Sequence, residues 1–274
     1  MGANNHGIDP WTLGVIASIL DKCESLGQRK FGRDLLVTAA SFGDRASNFK
    51  LVHAATSQGR LHDVTESLQH VGILAKTGND PQAMALLGMA LFSQRKEQEA
   101  LTWLRRASAG ALDFPGAADA LILEGRILMS HDKSGAMAVF QRAADELDDP
   151  NAYFYLSKLV PPDLAAREVY LIKAAASGVM EASHNLGVIE LAKINKGGKQ
   201  PKALDDYGMA RDWTEVAAEG GFGLSMLNMA MMYRNVGLRD QAMEWLEKAG
   251  EDTKVLEEAQ ALRENWDSED ALEG

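Results

Sequence analysis

An aromatic ring followed four positions later by an alanine recurs five times in this chain, at Trp103/Ala107, Phe140/Ala144, Tyr170/Ala174, Trp213/Ala217 and Trp245/Ala249. On a helix, residues i and i+4 share a face. A large ring beside a methyl is a knob next to a hole, so a neighbouring helix can approach closely. Recurrence of that face at intervals of tens of residues points to one helical unit stacked repeatedly, with a core that grows lengthwise.

A second pattern lies upstream of each ring: a small residue, three positions, an apolar residue, then another small one. It reads Ala83…Leu87-Gly88, Ala152…Leu156-Ser157 and Ala182…Leu186-Gly187, with weaker forms at Ala120…Glu124-Gly125 and Ser225…Met229-Ala230. The last small residue precedes the ring by 15 positions at Gly88, Gly125 and Ala230, by 13 at Ser157 and by 26 at Gly187. Two helices of about 12 residues and a short turn account for the common spacing. The unit reads as helix A, turn, helix B, with B crossing A at the small residue. A mid-helix glycine costs about 1 kcal/mol against alanine, so its recurrence calls for a packing reason. Pro81, Pro115 and Pro150 are expected to open helix A, where the missing amide proton costs nothing. Gly110, Gly178 and Gly220 are expected as left-handed caps after helix B.

The combined pattern, A-x-x-x-L-G and then K/E-A-x-x-W-x-x-x-A-A-x-x-G, resembles that of Sel1-like repeats, relatives of tetratricopeptide repeats. It stands here as AMALLGMALFSQRKEQEALTWLRRASAG (83–110), as EASHNLGVIE (181–190) with YGMARDWTEVAAEGG (207–221), and as SMLNMAMMYRNVGLRDQAMEWLEKAG (225–250). The resemblance covers roughly residues 80–250, good in three copies and degenerate in two. It implies an all-α fold, a right-handed α-solenoid of helix-turn-helix repeats that contacts other proteins and carries no catalytic residues.

Five repeats are therefore expected over 79–250. Residues 1–9 are read as a disordered N-terminus. Residues 10–78 are read as an N-terminal helical segment, divergent repeats or a cap, with helices near Trp11–Leu26, Phe31–Ser41, Ala46–Ser57 and Leu61–Lys76. Trp11, Leu13, Val15, Ile16, Ile19 and Leu20 give the first of these a broad apolar face. Residues 251–266 are expected as a capping helix and 267–274 as a solvated acidic tail. From Arg239 to Gly274 there are 12 acids and 4 bases, a net −8 within a chain of −11. The unit at Glu181 carries an insertion, 193–202, that lengthens its turn. Its Lys193, Lys196, Lys199 and Lys202 are read as a flexible solvated loop or, alternatively, a contact for an acidic partner, lipid headgroups or RNA.

Net acidity disfavours wholesale nucleic-acid binding. One cysteine, Cys23, forbids an intramolecular disulfide and suits a reducing intracellular compartment or indifference to redox; the resemblance to Sel1-like proteins, which include mitochondrial assembly factors, implies a cytoplasmic or mitochondrial one. Cys23 is expected within a helix as a partly buried thiol. No apolar run approaches the roughly 18 residues of a bilayer span, and the N-terminus lacks the form of a secretory signal. No HExxH, P-loop, G-x-S-x-G or complete dinucleotide fingerprint occurs, and the six histidines make no ligand pair with a cysteine. No enzyme, cofactor or metal site is expected.

If tetratricopeptide geometry holds, helix A lines a concave groove through offsets −3, +1 and +4 from the small residue. These positions hold Ala85, Met89 and Phe92; Ile122, Arg126 and Met129; Phe154 and Lys158; His184 and Val188; Leu227, Met231 and Arg234. Methionine-rich grooves accommodate apolar helices of varied shape, and the family's carboxylate-clamping pattern of lysines and asparagines is absent at +1, which reads Met, Arg, Lys, Val, Met. The expected partner is thus an amphipathic or apolar segment of another protein. The alternative for the groove residues is plain core. The alternative for the molecule is an RNA-binding repeat of the pentatricopeptide kind.

Overall fold

Pro10, Pro81 and Pro150 each follow an aspartate, and each Asp-Pro step opens a helix. The proline occupies the first helical position, where its missing N–H is no loss. The aspartate carboxylate accepts an N–H of the first turn: Asp9 from Thr12 at 3.4 Å, Asp80 from Ala83 at 3.0 Å, Asp149 from Ala152 at 2.9 Å. Pro115 departs from expectation. It stands two residues outside its helix, which starts at Ala117 behind Gly116 at φ +88°.

The computed structural model describes residues 7, 9–198, 200–264 and 266, and among these it is helical with no strand. The chain divides into two compact units, Met1–Leu147 and Asp148–Gly274. The first holds α1 (Pro10–Leu20), α2 (Leu26–Ser41), α3 (Arg45–Ser57), α4 (Thr65–Thr77), α5 (Pro81–Ser93), α6 (Glu97–Ser108), α7 (Ala117–Leu128) and α8 (Lys133–Leu147), with a 3-10 turn at Leu61–Val64. The second holds α9 (Pro150–Leu159), α10 (Ala165–Ala176), α11 (Met180–Lys196), a 3-10 turn at Leu204–Tyr207, α12 (Met209–Glu219), α13 (Gly223–Asn235), α14 (Arg239–Ala249) and α15 (Leu256–Glu264). The fold is an all-α run of helix hairpins. Within each unit helices pack on their neighbours in chain order, and in the first α3 also meets α5, and α5 meets α7. The terminal segments 1–6 and 267–274 lie outside the described residues.

Helix B does cross helix A at the small residue. A methyl at Gly88 would stand 2.8 Å from Leu104 Cγ, one at Gly125 2.5 Å from the Phe140 ring, and one at Gly187 would collide with the Thr214 hydroxyl. The knob, however, is usually the residue after the ring. Leu104, Leu171, Thr214 and Leu246 are at most 3% exposed, whereas Trp103, Tyr170, Trp213 and Trp245 are half-buried. Only in α8 does the ring itself, Phe140, take the buried place. Two of the half-buried rings are covered from their own helix, the Arg106 guanidinium lying 4.5 Å over Trp103 and Lys248 Nζ 4.2 Å over Trp245, and Tyr170 stacks on Tyr153 of α9. The seam is therefore small residue, three positions, knob, two positions, alanine. It also appears in α2 as Gly32, Leu36 and Ala39, all buried, where no ring marks it.

Three further expectations need correction. The first helix ends at Leu20 rather than Leu26, and the second begins at Leu26 rather than Phe31. A methyl at Gly32 would meet Leu20 Cβ at 2.9 Å and the Ala17 carbonyl at 3.1 Å. The chain must turn back at once to bring α2 that close. Cys23 thus lies in the turn, half-buried, its thiol 3.7 Å from the Ile19 carbonyl. Second, of the three expected caps only Gly178 is left-handed, at φ +88°; after α12 the left-handed residue is Gly221 (φ +88°) rather than Gly220, after α8 it is Asp148 (φ +49°), and Gly110 is not left-handed. Third, the insertion starts as helix: α11 runs through Lys193 to Lys196 before the chain loops.

Candidate functional site

Offsets +1 and +4 on an α-helix lie about 100° and 40° from the reference residue, so they share one side, flanking the face that the partner helix crosses. On α5 this side carries Met89 and Phe92; on α7 and the residue after it, Ile122, Arg126 and Met129. All are half-buried except Arg126, which is exposed. Since α5 and α7 pack on each other, these positions stand on adjacent helices of one unit. Ala85, at offset −3, is 1% exposed and belongs to the core.

The second unit treats its predicted residues differently. Phe154 is 7% exposed; Lys158 Nζ sits 4.1 Å over its ring and 5.4 Å over Tyr155. Phe154 is thus core covered by a cation rather than an open groove wall. His184 is half-buried, its Nδ1 sharing a 2.8 Å hydrogen bond with the buried Ser225 hydroxyl and its ring 4.9 Å from Phe222. Burial holds its pKa below the ordinary imidazole value. Arg234 donates to the Trp266 carbonyl at 2.8 Å and stacks 4.8 Å over that indole, so it fastens Trp266. Leu227 is buried, Met231 half-buried and Val188 exposed.

The basic insertion is not uniformly available either. Lys193 Nζ lies 2.8 Å from Glu190 and 3.2 Å from Glu168, and hydrogen bonds to these carboxylates raise its pKa. Lys196 and Lys202 are exposed; Lys199 lies outside the described residues.

One charged group escaped the sequence reading. Glu124, in the apolar slot of its repeat, is 5% exposed. Its carboxylate accepts from the Ser108 hydroxyl at 3.1 Å and faces Arg105 Nε at 3.4 Å. Burial raises its pKa, and the Ser108 hydrogen bond and the Arg105 charge oppose that rise. Arg142 donates to the carbonyls of Ser108 and, at 2.8 Å, Gly110, tying α8 to the end of α6. A glutamate where the pattern asks for leucine was the available signal.

Among the described residues no helix is long and apolar enough to cross a membrane. A tetratricopeptide-repeat family model matches residues 223–255, which span α13 and α14. No curated protein matches the chain in sequence. Among solved structures it is similar to c5321, a protective antigen present in uropathogenic Escherichia coli strains that displays an SLR (Sel1-like repeat) fold. The TM-score is 0.65 at 20% identity, over 93% of this chain and 57% of that one. The chain therefore spans little more than half the length of that relative. It is also similar to pilF of Pseudomonas aeruginosa, with TM-score 0.58 at 16% identity, over 85% of this chain and 99% of the other. At these identities the likeness is one of fold. The chain thus carries a tetratricopeptide repeat at 223–255 and shares the helical-repeat fold of Sel1-like and tetratricopeptide-like structures.

Proposed function

We propose that this protein is a non-enzymatic scaffold, an adaptor or assembly factor, that holds an apolar or amphipathic helical segment of another protein on the A-helix face of its first unit. Repeat folds of this family generally serve protein–protein contact. The observation that carries the finer reading is the cluster Met89, Phe92, Ile122 and Met129, half-buried on the adjacent helices α5 and α7. Side chains part-way out of the core retain apolar area for a partner, and methionine adapts to varied shapes. The exposed Arg126 beside them offers a cation to an acid on the partner's polar side. A cytoplasmic or mitochondrial site of action belongs to the same proposal.

The test is affinity capture with the full chain and with a Met89→Glu/Met129→Glu variant whose helicity and unfolding are followed in parallel. A variant that folds normally and loses the captured proteins supports the reading. A variant that unfolds assigns these residues to the core, and recovery of nucleic acid alone overturns the proposal.

A further inference from the structure

Within its unit α1 buries only Gly14 and Ala17. A methyl at Gly14 would meet the Ser47 hydroxyl and Asp44, while Gly32 of α2 closes on Ala17 and Leu20. Turned away from that contact are Trp11, Val15 and Ile19, 63%, 39% and 61% exposed. Their four-residue spacing makes one stripe along the helix. The outer helix of a repeat stack ordinarily shows water a polar face; this one shows an indole, a valine and an isoleucine.

The ends of the stripe indicate what covers it. Exposed Asp9 stands at the N-terminal end and exposed Lys22 just past the C-terminal end. Trp11 and Ile19 are centred on Val15, and Asp9 and Lys22 are centred between Val15 and Ile16. One antiparallel two-fold axis near Val15 therefore satisfies both sets. It sets Trp11 against the isoleucine of the second copy, valine on valine, and an aspartate against a lysine at each end. A parallel pairing would set Asp9 on Asp9 and Lys22 on Lys22. Helix dipoles favour the antiparallel choice as well. We propose that α1 is a self-association surface, pairing antiparallel with α1 of a second copy of this chain about a two-fold axis at Val15.

A single short helix face buries on the order of 800 Å² in total, the scale of weak, reversible contacts. Exposed ion pairs add little each, so they select direction while the apolar stripe supplies affinity. Sedimentation equilibrium of the full chain, from about 1 to about 500 µM, should show the mass rising from 29.7 kDa toward twice that value. Ile19→Lys should weaken association about tenfold or more. Lys22→Glu should weaken it several-fold, and Asp9→Asn/Lys22→Glu, which keeps a capping oxygen for the Thr12 N–H and removes the like-charge contact, should recover most of it. Val15→Cys in a Cys23→Ser background should oxidise to a covalent dimer, a readout that does not depend on the folding of the charged variants. A monomer at every concentration overturns the proposal, whether or not some other helical partner binds the stripe. So does association indifferent to Ile19→Lys, a double variant that fails to recover, or failure of the Val15→Cys crosslink.

Discussion

Gly125 and Gly72 are both mid-helix glycines, and their surroundings assign them opposite roles. A methyl at Gly125 would run into Phe140, a fully buried ring, whereas one at Gly72 meets nothing within 4 Å. Replacing a mid-helix glycine by alanine gains about 1 kcal/mol of helix propensity. Overpacking a filled core costs about 1–3 kcal/mol. Gly72→Ala should therefore stabilise by about 1 kcal/mol, and Gly125→Ala should destabilise by up to about 2 kcal/mol once the two effects are set against each other. Denaturant midpoints of the two variants check both signs. The neighbouring Glu124 makes a pH prediction. Its folded pKa lies above the ordinary value of 4.5 because burial disfavours the anion. The stability this confers is fully present below 4.5 and is lost as pH rises through the folded value. Above that folded value the chain carries a buried anion only partly offset by Ser108 and Arg105. Glu124→Gln, which keeps the shape and an acceptor for the Ser108 hydroxyl, should be more stable at neutral pH by on the order of 1 kcal/mol. That advantage should vanish once the wild-type carboxyl is protonated. Unfolding curves at a series of pH values would show the two proteins converging under acid; parallel curves would contradict the assignment.

At the scale of the element, caps are short-range and readable, whereas the packed face is not. Asp80 illustrates the first. Its carboxylate caps Ala83 N–H and takes the Arg45 guanidinium at 2.7 Å. Arg45 is half exposed, so that ion pair contributes little. Asp80→Ala should cost about 1 kcal/mol, most of it from the cap, and Asp80→Asn should recover the greater part. Thermal unfolding of both variants checks the division. The hairpins and the crossing at Gly88, Gly125 and Gly187 were legible in the sequence because small residues at close contacts leave a local signature. The true knob was not. Leu104 lies one position from Trp103, and a spacing pattern cannot tell which of two large neighbours faces inward. For the same reason the seam of α2, without a ring, passed unnoticed. Side-chain partners far along the chain were not legible: Arg234 is held by Trp266, 32 positions on, and Glu124 answers to Ser108, 16 positions back. No periodicity within one helix encodes such a pairing. Phe154 belongs to the core because Lys158 covers it, and the size of the ring alone could not say so.

At the scale of the molecule, what matters is that contacts run along the chain. In Asp148–Gly274 the substantial helix–helix contacts among described residues join sequence neighbours: α9 with α10, α10 with α11, and so on to α14 with α15. A globular core couples every element to every other; a stack couples each hairpin to the next, and stability becomes a sum of local and nearest-neighbour contributions. A core lesion in the last hairpin should then loosen its surroundings and leave the first hairpin of the unit nearly untouched. Leu246, 3% exposed, packs in a cluster with Leu227, Ala242, Val255 and Trp266. Leu246→Ala removes about 2–5 kcal/mol from that cluster. Amide hydrogen exchange under native conditions should speed up strongly over α13, α14 and α15 and change little over α9 and α10. Equal acceleration over the whole unit would mean that it unfolds as one cooperative body. Partner binding read from one hairpin would then reach all of them. A graded response would confine the effect of a bound segment to the hairpins it touches, as a modular scaffold requires.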